Sequence, residues 1–288
     1  MNLILQAPKR AAVPEAAIAA IAHLAGGDPH RLAASGVPDA DAWRVAGVPY
    51  SDALKAAIDA ACLAAGVDYA FIDPARKLAD FRLVAMDMDS TLITIECIDE
   101  IADMQGLKPL VAEITEAAMR GEIEFNESLT RRVALLKGLD ASALQRVYDE
   151  RLQLSPGAEN MLKAIQAAGL KTLLVSGGFT FFTDRMKARL GLDYTHSNTL
   201  DIVDGKLTGR VVGGIVNADE KRLTVERVCR EIGADPRQAI VMGDGANDLK
   251  MMGIAGLSVA FRAKPVVRAQ ADVGLNFVGL DGILNLLG

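Results

Sequence analysis

The sequence predicts an α/β protein. It should have a doubly wound, mostly parallel sheet, an inserted helical cap and a small N-terminal α/β module. Three observations carry this. From residue 82 to the C-terminus, short apolar runs alternate with helical patterns, the alternation that builds a parallel sheet. One stretch, from 98 to about 154, is helical throughout and interrupts that alternation. Residues 1–78 repeat the strand–helix pattern on a smaller scale and end on Pro74-Ala75-Arg76-Lys77, which reads as a linker.

Size and composition agree. A chain of 288 residues suits a core domain with additions. Hydrophobic residues make up 51% and charged residues 24%, the balance of a packed globular protein. The net charge of −6 offers no footprint for nucleic acid or an anionic membrane. No apolar stretch reaches the length of a membrane span, and 1–10 lacks the long apolar region of a signal peptide. Cys62, Cys97 and Cys229 are scattered and odd in number, so neither a disulfide framework nor a metal spacing is implied. Buried thiols in a reducing cytoplasm fit them.

Each element follows in order. In the N-terminal module, strands are expected at 2–6, 43–48 and 69–72 and helices at 14–24 and 52–65, with Gly26-Gly27 and Gly66 as stops. The first strand of the main domain is 82–86. Within the helical block, Leu129, Val133 and Leu136 recur at helical spacing, and Gly121 and Gly138 punctuate it. A helix over 158–168 ends at Gly169. A strand over 171–175 closes on Ser176-Gly177-Gly178. Asp204-Gly205 between two β-rich runs predicts a hairpin. A helix over 221–232, a strand over 239–242 and short strands at 257–260 and 273–275 complete the sheet. The expected division is 1–78, 79–94 with 161–288 as the core, and 95–160 as the inserted cap.

Three polar clusters each follow an apolar strand: Asp87/Asp89, Ser176/Gly177 and Asp244/Asn247/Asp248. In open α/β sheets, ligands bind beyond the carboxyl ends of the strands. Asp87 and Asp89 stand two apart in extended chain and point the same way. Such a pair is costly unless a cation or a shared proton offsets the repulsion. Asp87, Asp244 and Asp248 offer hard oxygen donors suited to Mg²⁺. Asp87 is then the candidate nucleophile, and Asp89 the acid that protonates a leaving alkoxide and later deprotonates water. Ser176 and the Gly177 amide suit phosphate oxygens, and Lys221 suits charge building on a transferring group.

With these residues in hand, the chain resembles the haloacid-dehalogenase superfamily of phosphatases, and within it the branch that acts on phosphoserine. The matching segments are 87–91, Glu96-Cys97-Ile98-Asp99-Glu100, Ala118-Met119-Arg120-Gly121, Phe125, Ser128-Leu129, Arg131-Arg132-Val133, Ser176-Gly177-Gly178-Phe179, Lys221 and 243–248. They span about residues 80 to 288. The resemblance implies a Rossmann-like core and hydrolysis of phosphoserine through an aspartyl-phosphate, the last step of serine synthesis. It implies one Mg²⁺ held by Asp87, the Asp89 backbone carbonyl and Asp244, with Asp248 in support. It gives Glu96 the substrate ammonium, Arg132 its carboxylate, Ser176, Gly177, Lys221 and Asn247 further substrate contacts, and Met119 and Phe125 the pocket wall. Asp99 and Glu100 read as helix charges. The N-terminal module resembles an ACT-type domain weakly and is expected to serve dimerisation, serine sensing or coverage of the core. Transfer of the phosphoryl group to an alcohol such as homoserine uses the same motifs. A receiver domain would need neither Asp89 nor a cap, and a catalytically dead Mg²⁺/amino-acid binder would not need the intact aspartate pair.

Overall fold

The computed structural model describes residues 1–32 and 36–287, and of Met119 the backbone alone. In chain order its elements are β1 (Asn2–Pro8), α1 (Glu15–Leu24), β2 (His30–Arg31), β3 (Ala40–Val45), α2 (Asp52–Ala65), β4 (Asp68–Ile72) and β5 (Leu83–Met86). Helices α3 (Cys97–Asp103), α4 (Lys108–Met119), α5 (Phe125–Leu135) and α6 (Ser142–Glu150) follow without a strand between them. Then come α7 (Ala158–Ala167), β6 (Lys171–Phe179), α8 (Thr180–Leu190), β7 (Tyr194–Val203), β8 (Lys206–Val212), α9 (Ala218–Glu231) and β9 (Ala239–Gly243). The chain closes with α10 (Leu249–Met252), β10 (Leu257–Phe261), α11 (Pro265–Gln270), β11 (Val273–Leu275) and α12 (Ile283–Leu287).

All strands join one sheet in the order β2-β3-β1-β4-β11-β10-β9-β5-β6-β7-β8. From β11 to β7 neighbours run parallel. The chain lays β6 and β7 on one side of β5, and then β9, β10 and β11 on the other. That reversal makes β5 the switch point, where an open α/β sheet leaves a crevice. Residues alternate between the faces of β5. Leu83 and Ala85 pack with Val225, Val228 and Cys229 of α9, and Val84 and Met86 pack with Met161, Leu162 and Ile165 of α7. Both faces are buried, so the strand reads as an unbroken apolar run.

The insertion has a pinched neck. Thr94 N donates to Gln153 O at 2.9 Å and Ser155 N to Leu92 O at 3.0 Å, with Ile93 bridged to Leu154. The neck closes at 155 and α7 already packs on the sheet, so the expected boundary at 160 falls inside a helix of the core. A second tie comes from the β7–β8 hairpin. Asp204 and Gly205 both take positive φ, as a tight hairpin turn requires. Backbone bonds of 2.8 Å then join Gly138 to Leu207, Leu207 to Leu139 and Ala141 to Gly205.

Three expectations change. The N-terminal unit reads in sequence as separate, but its strand β4 pairs with β11 and continues the core sheet. Helix α8 and the extension of β6 to Phe179 were not anticipated, because Ser176-Gly177-Gly178 signals a turn while the strand runs on through it. The register between β6 and β7 shifts across that stretch. The expected strand at 43–48 lies three residues earlier, over Ala40–Val45, where Ala40 and Ala42 are too small to show the alternation.

Candidate active site

The three polar clusters converge at the carboxyl ends of β5, β6 and β9. Beyond Met86, the Asp87 amide donates to Met242 O of β9 at 3.0 Å, which fixes Asp87 at the strand end. Residues 88–92 then turn back on themselves, with Asp89 extended and Ser90 at φ +55°. The Asp87 carboxylate accepts from Met88 N at 2.7 Å through Oδ1 and pairs with Lys221 Nζ at 2.8 Å through Oδ2. Asp89 Oδ1 accepts from Cys97 N, the first residue of α3, at 3.2 Å.

Lys221 sits one turn into α9, whose N-cap Asn217 accepts from the amides of Asp219 and Glu220. It is fully buried and lies 2.7 Å from Asp248 as well as 2.8 Å from Asp87. Burial alone would strip its proton, but the two carboxylates hold its pKa above the usual amine range. Asp248 is engaged on both oxygens: Oδ1 takes Lys221, and Oδ2 takes the amides of Asp244 and Gly245 at 3.1 and 3.0 Å. Gly243 permits this, since a Cβ there would lie 2.4 Å from Asp248 Oδ2.

Carboxylate oxygens of Asp87, Asp244 and Asp248 lie within 4.8 Å of one another. Burial first, then Asp248, raises the Asp87 pKa well above the carboxylate range, and the same two causes push Asp244 up to about 7. Lys221 alone underbalances the buried Asp87 and Asp248 and the half-buried Asp244, so this all-oxygen cluster fits a hard divalent cation. Asp248 carries three bonds and Asp87 one on each oxygen, so Asp244, engaged among the described residues on Oδ1 alone, has the freest oxygen. Burial, and secondly Glu96, push Asp89 up to about 7, a range suited to proton transfer near neutrality.

The insertion supplies the other wall. Glu96 precedes α3 and accepts from Ser90 Oγ at 2.6 Å. Solvent reaches it, yet protein surrounds it closely enough for burial to raise its pKa. Arg132, on α5, is half-buried and feels Asp99, Glu96 and Asp89. Its one bond to a described residue is a 3.4 Å contact from Nε to Ser128 O, and no carboxylate of a described residue lies within ion-pair distance. Phe125, on the same face of α5, reaches Gly177, where a Cβ would lie 3.0 Å from Cζ. Gly178 passes Asp89 so closely that a Cβ would lie 2.7 Å from Oδ2. Ser176 is buried, and its Oγ accepts from Gly178 N at 2.8 Å, leaving its proton free to donate. Asn247 is half-buried beside Gly245. The Met119 side chain lies outside the described residues.

The candidate residues Asp87, Asp89, Asp244, Asp248 and Lys221 therefore meet in one cluster, with Ser176, Gly177, Glu96 and Phe125 around it. Glu100 turns away to Arg151 and Lys108, as a helix charge should. Asp99 is likewise a first-turn acid of α3; burial raises its pKa, and Arg132 and Lys108 oppose that rise. Two supporting residues escape a sequence reading. Thr91 Oγ1 donates to Asp244 Oδ1 at 3.1 Å, across 153 positions. Asn198 is buried and bridges Gly177 O at 2.7 Å and Val216 N at 2.8 Å, which fixes the loop after β6. The only local hint for Asn198 is an amide within a strand.

Two carboxylates at the switch point, beside a buried lysine and an acidic cluster that suits a divalent cation, fit a phosphoryl-transfer hydrolase. The chain belongs to the haloacid dehalogenase-like hydrolases, which it matches over residues 81–256. A phosphoserine phosphatase from Polaromonas sp. is 59% identical over 219 residues, covering 74% of this chain and 93% of that protein. The crystal structure of a hydrolase of the same family from Salmonella enterica serovar Typhi aligns with a TM-score of 0.89 at 33% identity, over 100% of this chain and 99% of its own. A substrate-bound phosphoserine phosphatase aligns with a TM-score of 0.68 at 37% identity, over 72% of this chain and 99% of its own.

Proposed function

We infer that this chain is a phosphoserine phosphatase, hydrolysing O-phospho-L-serine to L-serine and phosphate. The observation that carries the reading is the position of Glu96 and Arg132 on the cleft that holds the Asp87–Asp89 pair, in a chain 59% identical to a protein of that name. Phosphoserine carries an ammonium, a carboxylate and a phosphate. It needs one acid, one bidentate cation and one phosphate cradle.

In the proposed mechanism, Ser176, the Gly177 amide, Asn247 and Lys221 hold the phosphoryl oxygens. Glu96 takes the ammonium and Arg132 the carboxylate, with Phe125 as apolar wall. Asp87 attacks phosphorus in line. The P–O bond to serine breaks, and Asp89 gives its proton to the departing serine oxygen. Asp89 then takes a proton from water as that water attacks phosphorus, releasing phosphate and freeing Asp87. Mg²⁺, held by Asp87, Asp244 and the Asp89 carbonyl with Asp248 in support, would neutralise charge on the carboxylates and the phosphoryl group. We propose that the helical insertion acts as a cap over the substrate that excludes water until the first step is done.

The test is phosphate release from a panel of small phosphomonoesters, with and without Mg²⁺, for the native enzyme and Asp87→Asn. Phosphoserine should lead the panel, Mg²⁺ should be required, and D87N should lose roughly a thousandfold or more. Near-native turnover by D87N, or a different preferred ester, would remove the reading. Adding homoserine and finding no phosphorylated acceptor separates hydrolysis from phosphotransfer.

A further inference from the structure

We propose that Ser90 is a positioning residue for Glu96, and so sets the preference for a substrate bearing an ammonium. The inference rests on the reading of Glu96 given above. Ser90 sits at φ +55°, ψ 0°, the left-handed region where glycine or asparagine is the ordinary choice. A serine there is conformationally unfavourable, so its hydroxyl should return something glycine could not. That hydroxyl donates to Glu96 Oε1 at 2.6 Å.

The surrounding loop shows what the bond does. Ser90 N donates to Ile95 O at 3.2 Å, closing the loop on itself. Cys97 N donates to Asp89 Oδ1 at 3.2 Å, tying the far end of the loop back to the acid/base carboxylate. These two bonds fix the backbone on either side of Glu96. Among the described residues, Ser90 supplies the one hydrogen bond to its carboxylate, committing Oε1 and leaving Oε2 to face a ligand. A carboxylate held in this way reads a cation with less loss of side-chain freedom on binding. The left-handed turn is what aims the Ser90 side chain at residue 96, so the unusual backbone and the contact belong together.

The experiment compares kcat/KM on phosphoserine with that on 3-phosphoglycerate, which carries a hydroxyl where phosphoserine carries its ammonium. It uses the full chain and the variants Ser90→Gly, Ser90→Ala, Glu96→Gln and S90G/E96Q, with Tm measured alongside. A hydrogen bond to a charged group predicts a loss of roughly tenfold on phosphoserine for S90G and S90A. The loss on 3-phosphoglycerate should be under about twofold. S90G should keep or raise Tm, because glycine relieves the left-handed backbone. The double variant should be no worse than E96Q alone, because one interaction cannot be lost twice. A preference that survives E96Q removes the reading of Glu96, and the role of Ser90 with it. A preference lost in E96Q but kept in S90G and S90A overturns the Ser90 proposal alone. So do equal losses on both substrates.

Discussion

Arg132 is a half-buried guanidinium with no carboxylate of a described residue at ion-pair distance. Burial pulls its pKa down, and Asp99, Glu96 and Asp89 pull it back from further off. A desolvated cation left without a partner is unfavourable, and a substrate carboxylate arriving in the cleft would supply one. Arg132→Ala should therefore lower kcat/KM for phosphoserine by about a hundredfold, the scale of a bidentate charge-assisted contact. Phosphoethanolamine, which has no carboxylate, should lose less than about threefold. Similar losses on the two esters would take the role away from Arg132. The residues readable in the sequence were those whose chemistry is local. Asp87 and Asp89 sit two apart after an apolar run, and Asp244, Asn247 and Asp248 share one glycine-rich turn. Lys221 needed the others to give it meaning, because an isolated lysine near a helix start is ordinarily a surface charge. Thr91 and Asn198 were unreadable because their partners are distant, Asp244 for one and Gly177 with Val216 for the other.

At the scale of elements, β6 links the fold to the chemistry. Its buried start was legible as an apolar run, but its end was not, since two glycines ordinarily stop a strand. They serve close approach instead. A Cβ on Gly178 would meet Asp89 Oδ2 at 2.7 Å, Met88 Cε at 3.0 Å and Ser176 Oγ at 3.1 Å. Gly178→Ala should displace Asp89 and cost about a hundredfold in kcat, as small misplacements of catalytic groups do. The change in Tm should be modest. An unchanged kcat would mean that Asp89 tolerates the shift. The other end of β6 is fixed by Asp193, which precedes β7. Its carboxylate accepts from Thr172 N and Oγ1 at 2.9 Å and from Lys171 Nζ at 2.7 Å. Partial burial would raise its pKa, but these donors more than offset that and hold it below the usual range. A folded-state pKa below the unfolded one adds stability at pH above the unfolded value, and that stability fades as pH falls through the folded value. Asp193→Asn should thus be less stable than the native chain near pH 7, by about 1 kcal/mol or less for so exposed a pair. The gap in urea midpoints should narrow as pH falls below the ordinary carboxylate range and Asp193 takes up its proton. A gap that stays constant with pH would show that the charge on Asp193 is irrelevant. The missed helix α8 buries Phe182 and Met186 four apart and stops at Gly191 with φ +64°. Both signals were present, and the turn expected at Ser176-Gly177-Gly178 hid where the helix begins.

Across the whole molecule, the N-terminal unit is joined to the catalytic core by more than a linker. One face of its sheet, with Leu3, Leu5 and Ala7, packs on α1 and α2. The other face contributes Ile4, Ala70 and Ile72 to the cluster that holds Ile283, Leu286 and Leu287 of α12. Sequence periodicity could separate the two faces of β1 but could not say what covers the second, because the covering helix lies at the opposite end of the chain. The junction turns on Asp68, a buried carboxylate at the start of β4. It accepts from the amides of Asn276 at 2.7 Å, Phe277 at 2.8 Å and Val278 at 2.9 Å, all just after β11. One side chain thus replaces the strand pairing that β11 and β4 do not extend, since only Gly274 and Tyr69 are paired there. Removing it strands three amides, and each unsatisfied buried group costs about 1–3 kcal/mol. Asp68→Ala should lower stability by about 3 kcal/mol or more. Asp68→Asn should lose less, because one oxygen still accepts. Neither touches the cleft, so kcat/KM on phosphoserine, measured well below the unfolding transition, should stay within about twofold of native. Urea unfolding and steady-state assays on the same preparations decide this. A large fall in kcat/KM with native stability would mean that the N-terminal unit acts on the active site through this junction, and that the junction does more than hold the sheet together.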